Sequence, residues 1–500
     1  MVFSSLEFIY LFLPPVLVGF YVLRALRLEN AIIWWLIVAS FIFYAWWSPP
    51  HLLLLCGSIL VNYMVHRLLL KRRSRALLVG GIVFNLGLLA VFKYADFLIG
   101  NVNGIANLEM TELGLVLPLA ISFYTFQQIS FLHDTWISRI KSCDFKRYVL
   151  FVTFFPQLIA GPIVTQKDTI PQFRLSVFRN RTMLNLAVGS TLFFIGLFKK
   201  IVLADGIAPI ANVVFGMADD GQMVPVTAAW LGALAYTFQI YFDFSGYCDM
   251  ALGLARLFGI RLPINFNSPY KALSIVDFWR RWHISLSRFL RDYLYIPLGG
   301  NRSGLLGRHG NLMLTMLLGG LWHGAGWNFV LWGALHGSYL IVNQLWSDSA
   351  LGRTTRALVP ATLYSGLSWA VTMLAVIVAW VFFRAETFDG GMIILQSMAG
   401  LSHAVAAEWF DILPNSDHVP ALLALMLAIV LLLPNGPELT ENYRPVLFTA
   451  RELVRSGAGR LRFRWAPTPA WGLAIAFVGS ASLIQIYRLN DLTEFIYFNF

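Results

Sequence analysis

The sequence predicts an all-α polytopic membrane protein, and three observations indicate this fold class: the composition, repeated long apolar runs, and the charges that separate them. Apolar residues make up 58% of the 500 residues and charged residues only 13%, which is far from the average of soluble domains. Runs of roughly 17 to 25 mostly apolar residues, each long enough to cross about 30 Å of hydrocarbon as a helix, recur along the chain. We count about eleven such passes between residues 8 and 487.

The first apolar run begins near Phe8 and has no basic segment before it. A second run, from Ala31 to Trp47, follows it closely. Because a cleaved signal peptide has a basic start and a short apolar stretch, this pattern predicts a retained first helix.

The charged residues predict orientation in the membrane rather than binding to nucleic acid. The formal net charge is +11, but the Lys and Arg residues lie between apolar runs and not on a separate basic domain. Cytoplasmic loops carry an excess of Lys and Arg, so we assign residues 67–75, 139–147 and 444–464 to the cytoplasm and the acidic segment 384–417 to the outside. Counting crossings from these anchors predicts that both termini lie outside.

Residues 148–164 leave two alternatives open. This segment contains Pro156, Gly161 and Pro162, and four basic residues follow it between positions 167 and 181. A simple span would place those bases outside, whereas a re-entrant segment would keep them in the cytoplasm. Broken backbone at membrane depth is tolerated where protein covers it, so the sequence allows both arrangements.

Residues 311–345 contain no charged side chain. As one helix they would measure about 52 Å, well over the thickness of the bilayer. Four glycines lie near the middle, between positions 319 and 326, and glycine weakens a helix. We therefore expect a broken pair of helices at membrane depth, with His323 near the break.

His323 is the strongest candidate for chemistry. It lies in the sequence LWHGAGW inside this uncharged run, and ionisable residues inside a membrane are costly and usually functional. A neutral imidazole can take a proton from a hydroxyl at physiological pH. The alternative is a histidine that only packs against a neighbouring helix. That alternative is stronger for His336, which lies thirteen residues further on beside Gly337.

A basic and aromatic segment, Asp277–Arg302, contains the second unusual histidine, His283. Such a mixture is typical of an interfacial helix with aromatic anchors. A cytoplasmic rim of arginines would also bind the phosphates of a nucleotide-bearing acyl donor, and the sequence leaves both alternatives open. The candidate donor-binding residues are Trp279, Arg280, Arg281, Trp282, Arg288, Arg291, Asp292, Trp322 and Asn328.

Two carboxylates, Asp243 and Asp249, lie in a long apolar stretch. They are six residues apart and therefore not on one helical face, so paired-carboxylate acid–base chemistry has little support. We expect structural roles for them, either as caps of a helix broken near Ser245 and Gly246 or as partners of arginines in the basic segment.

The absence of several motifs argues against other classes of site. The sequence contains no phosphate-binding P-loop, no GxGxxG after a strand, no GxSxG elbow and no HExxH zinc motif. Its three cysteines, Cys56, Cys143 and Cys248, are widely spaced and have no histidine cluster beside them. We therefore expect neither a bound metal nor a disulfide framework.

Two stretches carry a specific family resemblance. WRRWHISLSRFLRDYLYIPLGGNR at 279–302 and NLMLTMLLGGLWHGAGWNFVLWGALHG at 311–337 resemble the paired signature of membrane-bound O-acyltransferases. The closer resemblance is to the bacterial branch that contains the membrane subunit of alginate O-acetyltransferase. Further matches are MVFSS at the start, FYAWW at 43–47, ISFYTFQQIS at 121–130, FPQLIAGPIV at 155–164, YFDFSGYCDMALGL at 241–254, NFNSPY at 265–270 and the final FIYFNF. The resemblance runs nearly end to end and predicts a single membrane-embedded domain, residues 1–500.

The resemblance implies a ring of about eleven transmembrane helices plus re-entrant helices around a central catalytic tunnel. It implies that His323 is the family's essential histidine and that His283 is the second histidine implicated in activity. It further implies a multi-pass protein of the bacterial inner membrane that moves acetyl from a cytoplasmic thioester. Acetyl-CoA would be its donor substrate rather than a tightly bound cofactor.

The acceptor implied by the resemblance is an exported polysaccharide. Acetylation would be direct or would pass through a periplasmic acetyltransferase-like or esterase-like partner that works with polysaccharide synthesis machinery. Membrane lipids are the other expected partner, and nucleic acid is not expected to be one.

Two other functions remain open at this point. A related branch moves D-alanine from a carrier protein toward teichoic acids and shares the two-histidine signature, although FIYFNF, FYAWW and GGLWHGA favour the acetylating branch. A transporter or exporter of glycans or lipids is a different class of protein that many membrane spans would also allow.

Overall fold

The computed structural model describes residues 1–302, 304–402, 418–447, 464–488 and 495–496. All regular secondary structure in these residues is helical, which confirms the predicted all-α class. The acidic segment beyond residue 402, most of the basic loop 444–464 and the last four residues of FIYFNF lie outside the described residues.

The α-helices are of two kinds, long rods and short pieces. In chain order they are α1 (Leu13–Ala25), α2 (Glu29–Ala45), α3 (Pro49–Lys71), α4 (Arg75–Leu89), α5 (Ala95–Ala106), α6 (Ile121–Trp136), α7 (Phe145–Thr153), α8 (Phe155–Leu158), α9 (Gln166–Thr169), α10 (Leu175–Phe178), α11 (Thr182–Phe198), α12 (Asp205–Asp219), α13 (Val226–Leu257), α14 (Ile275–Trp279), α15 (Ile284–Leu290), α16 (Gly304–His323), α17 (Trp327–Asp348), α18 (Ala350–Leu358), α19 (Ala361–Arg384), α20 (Phe388–Met398), α21 (Val419–Leu432), α22 (Gly436–Leu439) and α23 (Pro469–Arg488).

Wider and tighter helical turns complete the architecture. The π-helical segments are Glu7–Phe12, Ala90–Tyr94, Lys199–Ala204 and Arg291–Tyr295, and the 3-10 turns are Ile170–Gln172, Pro269–Lys271 and Glu441–Tyr443. Two π-helical segments join rods end to end: Ala90–Tyr94 connects α4 to α5, and Lys199–Ala204 connects α11 to α12.

Six helices in the described part of the chain are long and apolar enough to cross a membrane. They are Glu7–Ala25, Pro49–Lys71, Arg75–Ala106, Thr182–Asp219, Ala361–Arg384 and Pro469–Arg488, and the two shorter apolar helices are Glu29–Ala45 and Val419–Leu432. The multi-pass prediction is confirmed. These helices are fewer than the apolar runs counted in the sequence, and two of those runs, residues 148–164 and 311–345, are divided between separate helices.

Residues 148–164 form one of these divided runs. Helix α7 has nine residues and α8 has four, so α7 is only about 14 Å long and too short to cross a bilayer. Every residue from Tyr148 to Val164 is nevertheless buried. A single transmembrane helix over this segment is therefore excluded, and the structure supports the broken arrangement.

Buried ion pairs connect α13 to the π-helical segment before α12. Lys199 Nζ lies 2.6 Å from Asp249 Oδ2, and Lys200 Nζ lies 2.7 Å from Asp243 Oδ1 and 2.8 Å from Asp205 Oδ1. The side chains of Lys200, Asp205 and Asp243 are all nearly inaccessible to solvent. Buried charges are tolerated when they are paired in this way.

The sequence-based expectation for the two α13 carboxylates is wrong about their partners. Helix α13 is continuous through Ser245 and Gly246, so neither Asp243 nor Asp249 caps a helix break. Both pair with lysines rather than with arginines of the basic segment. The physical reason is that the preceding π-helical turn brings two consecutive lysines against α13, each facing a different carboxylate.

The same cluster holds residues from the far end of the chain. The backbone N–H of Ile496 donates a hydrogen bond of 3.0 Å to Asp243 Oδ2. The neighbouring Phe495 is buried, and its ring centroid lies 5.5 Å from that of Phe244 and 4.7 Å from that of Tyr247. Phe495 and Ile496 are therefore part of the core around α13.

The Lys200→Leu variant is expected to be strongly destabilised. It would leave the buried carboxylates of Asp205 and Asp243 without their shared cation, and breaking such a pair costs about 3–5 kcal/mol. Thermal unfolding of the detergent-purified protein measures the effect. The Lys71→Leu variant removes an exposed charge at the end of α3 and serves as the control. Equal melting temperatures for both variants would contradict a stabilising role for the buried pairs.

Helices α16 and α17 form the broken pair that the sequence predicts. Helix α16 ends at His323, and α17 begins at Trp327 after the turn Gly324–Gly326. The two helices approach closely near the turn, since a Cβ atom at Gly320 would collide with the carbonyl oxygen of Phe329. Only glycine allows this approach. The close contact between the two helices therefore fixes the position of the helix end that carries His323.

The Gly320→Ala variant should lower the stability of the fold and the activity together. The added methyl would push α17 away from α16, and overpacking of this kind costs about 1–3 kcal/mol. The Gly310→Ala variant lies on the same helix, where an added Cβ meets nothing within 4 Å, and it should be neutral or slightly stabilising. Melting temperatures that fall equally in the two variants would disprove the close-packing argument.

Candidate active site

His323 lies in an aromatic enclosure at the end of α16. Its side chain is buried, with the residue only 2% exposed. The imidazole centroid lies 4.9 Å from the ring of Trp322, 5.0 Å from Trp332 and 5.2 Å from Phe383. These rings exclude water from the imidazole, and a dry environment strengthens every polar interaction that a bound substrate makes there.

The second histidine lies beside the first. His283 is fully buried, and its ring centroid lies 6.3 Å from that of His323. Its backbone has φ +42° directly before α15, a left-handed conformation that costs about 1–3 kcal/mol for a residue other than glycine. The two histidines are 40 positions apart in the sequence, and the fold brings them to one place.

Asn265 holds His283 in position, and sequence reasoning did not single it out. Asn265 Oδ1 lies 3.1 Å from His283 Nδ1 and also accepts hydrogen bonds from the backbone N–H and the hydroxyl of Ser285. Since a carbonyl oxygen can only accept, Nδ1 carries the proton in this arrangement. In the sequence, the signal for Asn265 is its position as the first residue of the motif NFNSPY.

A lysine and a tyrosine bind the carbonyl end of α16. Lys93 Nζ donates to the carbonyl oxygens of Trp322 at 2.6 Å and of His323 at 3.1 Å, and the Tyr94 hydroxyl donates to that of Leu321 at 2.8 Å. These groups satisfy carbonyls that a helix end leaves without intrahelical partners. Sequence reasoning missed both residues, although a lysine within the apolar run 76–106 was a signal.

His336 is enclosed by tryptophans. The Trp279 indole N–H donates to His336 Nδ1 at 3.2 Å, and the His336 ring lies 4.7 Å from that of Trp332. The same Trp332 ring contacts His323. These contacts agree with a packing role for His336 and place it one ring away from the candidate catalytic histidine.

The basic segment is not one interfacial helix. It forms α14, a turn, α15 and the π-helical segment Arg291–Tyr295. Arg281 is buried and donates to Asp277 at 3.0 Å, and Trp282 is buried against aromatic rings. Both side chains therefore hold the segment together.

Besides the exposed Arg302 at its end, three arginines of this segment retain accessible surface. Arg280 and Arg291 are exposed, and Arg288 is half-buried. Arg291 Nε lies 2.7 Å from Asp292 Oδ1, which orients its guanidinium. Binding of donor phosphates stays a prediction, and Arg280, Arg288 and Arg291 are its best candidates.

The other two candidate donor-binding residues lie near His323. Trp322 stacks on Phe126 with ring centroids 5.3 Å apart. The Asn328 side-chain amide donates to the carbonyl oxygen of Ala385 at 2.8 Å and so ties the start of α17 to the end of α19. Contact of either residue with the donor also stays a prediction.

Comparison with known proteins decides the family. Residues 137–380 match the model of "MBOAT, membrane-bound O-acyltransferase family". The chain is 44% identical to the peptidoglycan O-acetyltransferase of Helicobacter pylori, over 80% of each chain. It is 37% identical to the probable alginate O-acetylase of Azotobacter vinelandii, over 100% of each chain. The protein belongs to the membrane-bound O-acyltransferase family.

A more distant relative represents the D-alanylating branch. The teichoic acid D-alanyltransferase of Streptococcus thermophilus is 27% identical over 46% of this chain and 57% of its own length. Family membership makes the chain a multi-pass O-acyltransferase, so the transporter alternative is set aside. The buried histidine pair belongs to this O-acyltransferase fold, since His283 and His323 both lie within the matched residues.

Within the residues that the structure describes, no group of three or more His, Cys, Asp or Glu side chains is arranged to hold a metal ion. The three cysteines are free thiols, and Cys248 is buried. Cys248 Sγ accepts a hydrogen bond of 3.4 Å from the Asn265 side-chain amide, so it contributes to the support of His283.

The Asn265→Ala variant should slow acyl transfer roughly 10- to 100-fold, because a small displacement of a catalytic group has effects of this size. A role in positioning His283 also predicts non-additivity. Adding Asn265→Ala to His283→Ala should cause little further loss, since both act on one group. Acyl-transfer rates at equal amounts of folded protein measure this. Fully multiplicative losses would assign Asn265 an independent role.

Proposed function

We propose that this O-acyltransferase moves acetyl from acetyl-CoA on the cytoplasmic side to a hydroxyl acceptor for O-acetylation of an exported polysaccharide. The observation that carries the proposal is the pair of buried histidines, His323 and His283, with ring centroids 6.3 Å apart. The two relatives with the names peptidoglycan O-acetyltransferase and probable alginate O-acetylase support acetyl as the transferred group.

Direct transfer requires one proton acceptor close to the reacting hydroxyl. The hydroxyl oxygen attacks the thioester carbonyl carbon, a carbon–oxygen bond forms, and the carbon–sulfur bond breaks. His323 takes the hydroxyl proton as general base and returns it to the thiolate that leaves. This transfer step needs no oxidant and no metal ion to conserve atoms and electrons.

His283 is proposed to orient or polarise the reacting groups. The hydrogen bond between its Nδ1 and Asn265 Oδ1 fixes the ring, which supports a preorganised environment for the charge that develops on the thioester oxygen. The aromatic rings around His323 support a reaction that excludes water, because water would compete with the acceptor hydroxyl.

The donor is proposed to reach the histidines from the side that carries the basic loops. Arg280, Arg288 and Arg291 offer accessible guanidinium groups, and arginine binds phosphates in a bidentate manner. The positive-inside rule supports a cytoplasmic position for such loops. We accordingly propose a protein of the bacterial inner membrane, with both termini outside.

The final acceptor is proposed to lie in polysaccharide modification machinery. The relatives are named for two different polymers. Acetylation is proposed to be direct or to pass through a periplasmic partner. D-Alanyl transfer has weaker support, since the D-alanylating relative matches less than half of this chain.

Substitution of the two histidines tests the proposal. We expect His323→Ala to abolish O-acetylation of surface polysaccharide and His283→Ala to lower it at least about 100-fold. The measurement is acetate released by mild base from polysaccharide of cells with matched amounts of each variant.

The His309→Ala variant is the matched control, because His309 lies on the same helix about 21 Å from the break. It should retain acetylation. Full acetylation in His323→Ala cells would refute His323 as general base. If these cells keep their acetate and lose esters of D-alanine instead, the proposed acyl group is refuted.

A further inference from the structure

Five arginines lie together where the ends of three helices meet two loops. Arg24 lies in the last turn of α1, Arg181 directly precedes α11, and Arg256 lies in the last turn of α13. Arg261 lies in the loop after α13, and Arg444 directly follows a 3-10 turn. We call these five residues the arginine cluster.

Hydrogen bonds hold α1 against the other two helices of the cluster. The Tyr21 hydroxyl donates to the carbonyl oxygen of Leu257 at 2.6 Å, which joins α1 to the end of α13. Arg24 Nη1 donates to Thr182 Oγ1, which joins α1 to the start of α11. The guanidinium of Arg24 also lies 4.7 Å from the centroid of the Tyr21 ring. Arg24 is therefore fixed beside the residues next to Arg181.

Arg256 is the buried member of the cluster and contacts the segment that carries Arg444. It is only 3% exposed, and its Nη2 donates to the carbonyl oxygen of Tyr443 at 3.2 Å. The charges of Arg261 and Arg181 are close enough to act on Arg256. Burial, and then the charges of Arg444 and Arg181, lower the pKa of Arg261. The guanidinium groups therefore lie near one another and repel.

No carboxylate neutralises the arginine cluster within the part of the chain that the structure describes. None of its five members forms a salt bridge there. The buried Nε of Arg256 has no hydrogen-bond partner among the same residues. The buried lysines before α12, by contrast, all have carboxylate partners. Because buried charges are costly unless they are paired, the cluster is suited to an anion with several oxygen atoms.

The cluster lies at the level where the headgroups of the lipids are expected. Arg24 is at the end of one helix that is long and apolar enough to cross a membrane, and Arg181 is at the start of another. Beside them in the sequence, Leu26 and Met183 are exposed apolar residues, which suits contact with acyl chains. The loop that begins at Arg444 is one of those that the positive-inside rule assigns to the cytoplasm.

The cluster is separate from the histidine pair. Arg256 lies twelve residues along the continuous helix α13 from Phe244, whose ring contacts that of His283. This spacing corresponds to about 18 Å along the helix axis. None of the five arginines belongs to the basic segment 277–302, so the cluster is also distinct from the candidate donor-binding residues.

We propose that the arginine cluster binds the phosphate of an anionic phospholipid headgroup on the cytoplasmic side of the membrane. Arginine binds phosphate oxygens in a bidentate manner, and basic pockets between transmembrane helices on this side bind such headgroups. The phosphate pairs with Arg256 and Arg261, and the acyl chains pass Leu26 and Met183. One headgroup then joins the ends of α1, α11 and α13 to the loop at Arg444. The inference does not depend on which acyl group the enzyme transfers.

Binding of short-chain lipids to the full-length protein in detergent tests the inference. The probes are dioctanoyl phosphatidylglycerol and dioctanoyl phosphatidylcholine, and native mass spectrometry measures the bound lipid. We expect wild type to bind phosphatidylglycerol about tenfold more tightly than phosphatidylcholine, since only the former is anionic. The double variant Arg261→Gln with Arg444→Gln keeps the buried Arg256. It should lose about tenfold or more in affinity for phosphatidylglycerol, because two charges near the phosphate are removed.

A matched double variant, Arg72→Gln with Arg73→Gln, removes the same charge from another basic loop, where both residues are exposed. It should bind phosphatidylglycerol like wild type. Inorganic phosphate should bind wild type at least about tenfold more weakly than the lipid, since it makes no acyl-chain contacts.

Three results would overturn the inference: equal affinity of wild type for the two lipids, equal losses in the two double variants, or inorganic phosphate that binds as tightly as phosphatidylglycerol. A fourth is a loss of affinity for coenzyme A alone in the Arg261→Gln and Arg444→Gln variant, which would assign the cluster to the donor. The comparison of the two lipids on wild type needs no variant, so it decides the matter even if a variant fails to fold.

Discussion

The binding of a helix end by a lysine is the constraint on which the candidate active site depends. A helix that stops inside a membrane protein leaves carbonyl groups without partners, and such groups are costly away from water. Lys93 and Tyr94 donate to three carbonyls at the end of α16. With these donors in place, the chain can end the helix at His323 and turn through Gly324–Gly326.

The other half of the site is a second irregularity of the backbone. His283 adopts a left-handed conformation, and Asn265 stabilises it by accepting from its ring and from Ser285. The histidine pair therefore does not depend on two regular helices facing each other. It depends on a helix end and a strained residue. Lys93 and Tyr94, far away in the chain, fix the helix end, and Asn265, 18 positions before His283, fixes the strained residue.

Local features of the sequence were enough to predict the hairpin and its histidine. The length of the uncharged run and the glycines in its middle predicted the break, and the break drew attention to His323. Lys93 and Asn265 were not predicted, because their roles arise from contacts that sequence spacing does not reveal. Lys93 acts on a residue 230 positions away, and its only local signal is its presence in an apolar run.

The buried carboxylates illustrate the same limit in another way. The sequence identified Asp243 as structural, yet its partners depend on a π-helical turn at Lys200 whose geometry hydrophobic periodicity does not encode. The basic segment was also identified, but its division into short helices follows from the burial of Trp282 and Arg281. Composition predicts where polar groups are unusual, and tertiary contacts decide what they do.

The hydrogen bond from Ile496 to Asp243 joins two residues that are synthesised at different times. The two residues are 253 positions apart, and ribosomes add about 5–20 residues per second. Asp243 therefore enters the membrane roughly 10 to 50 s before this partner exists. During that interval Phe244, which touches both Phe495 and His283, also lacks part of its packing. The core around α13 is thus completed only after translation reaches residue 496.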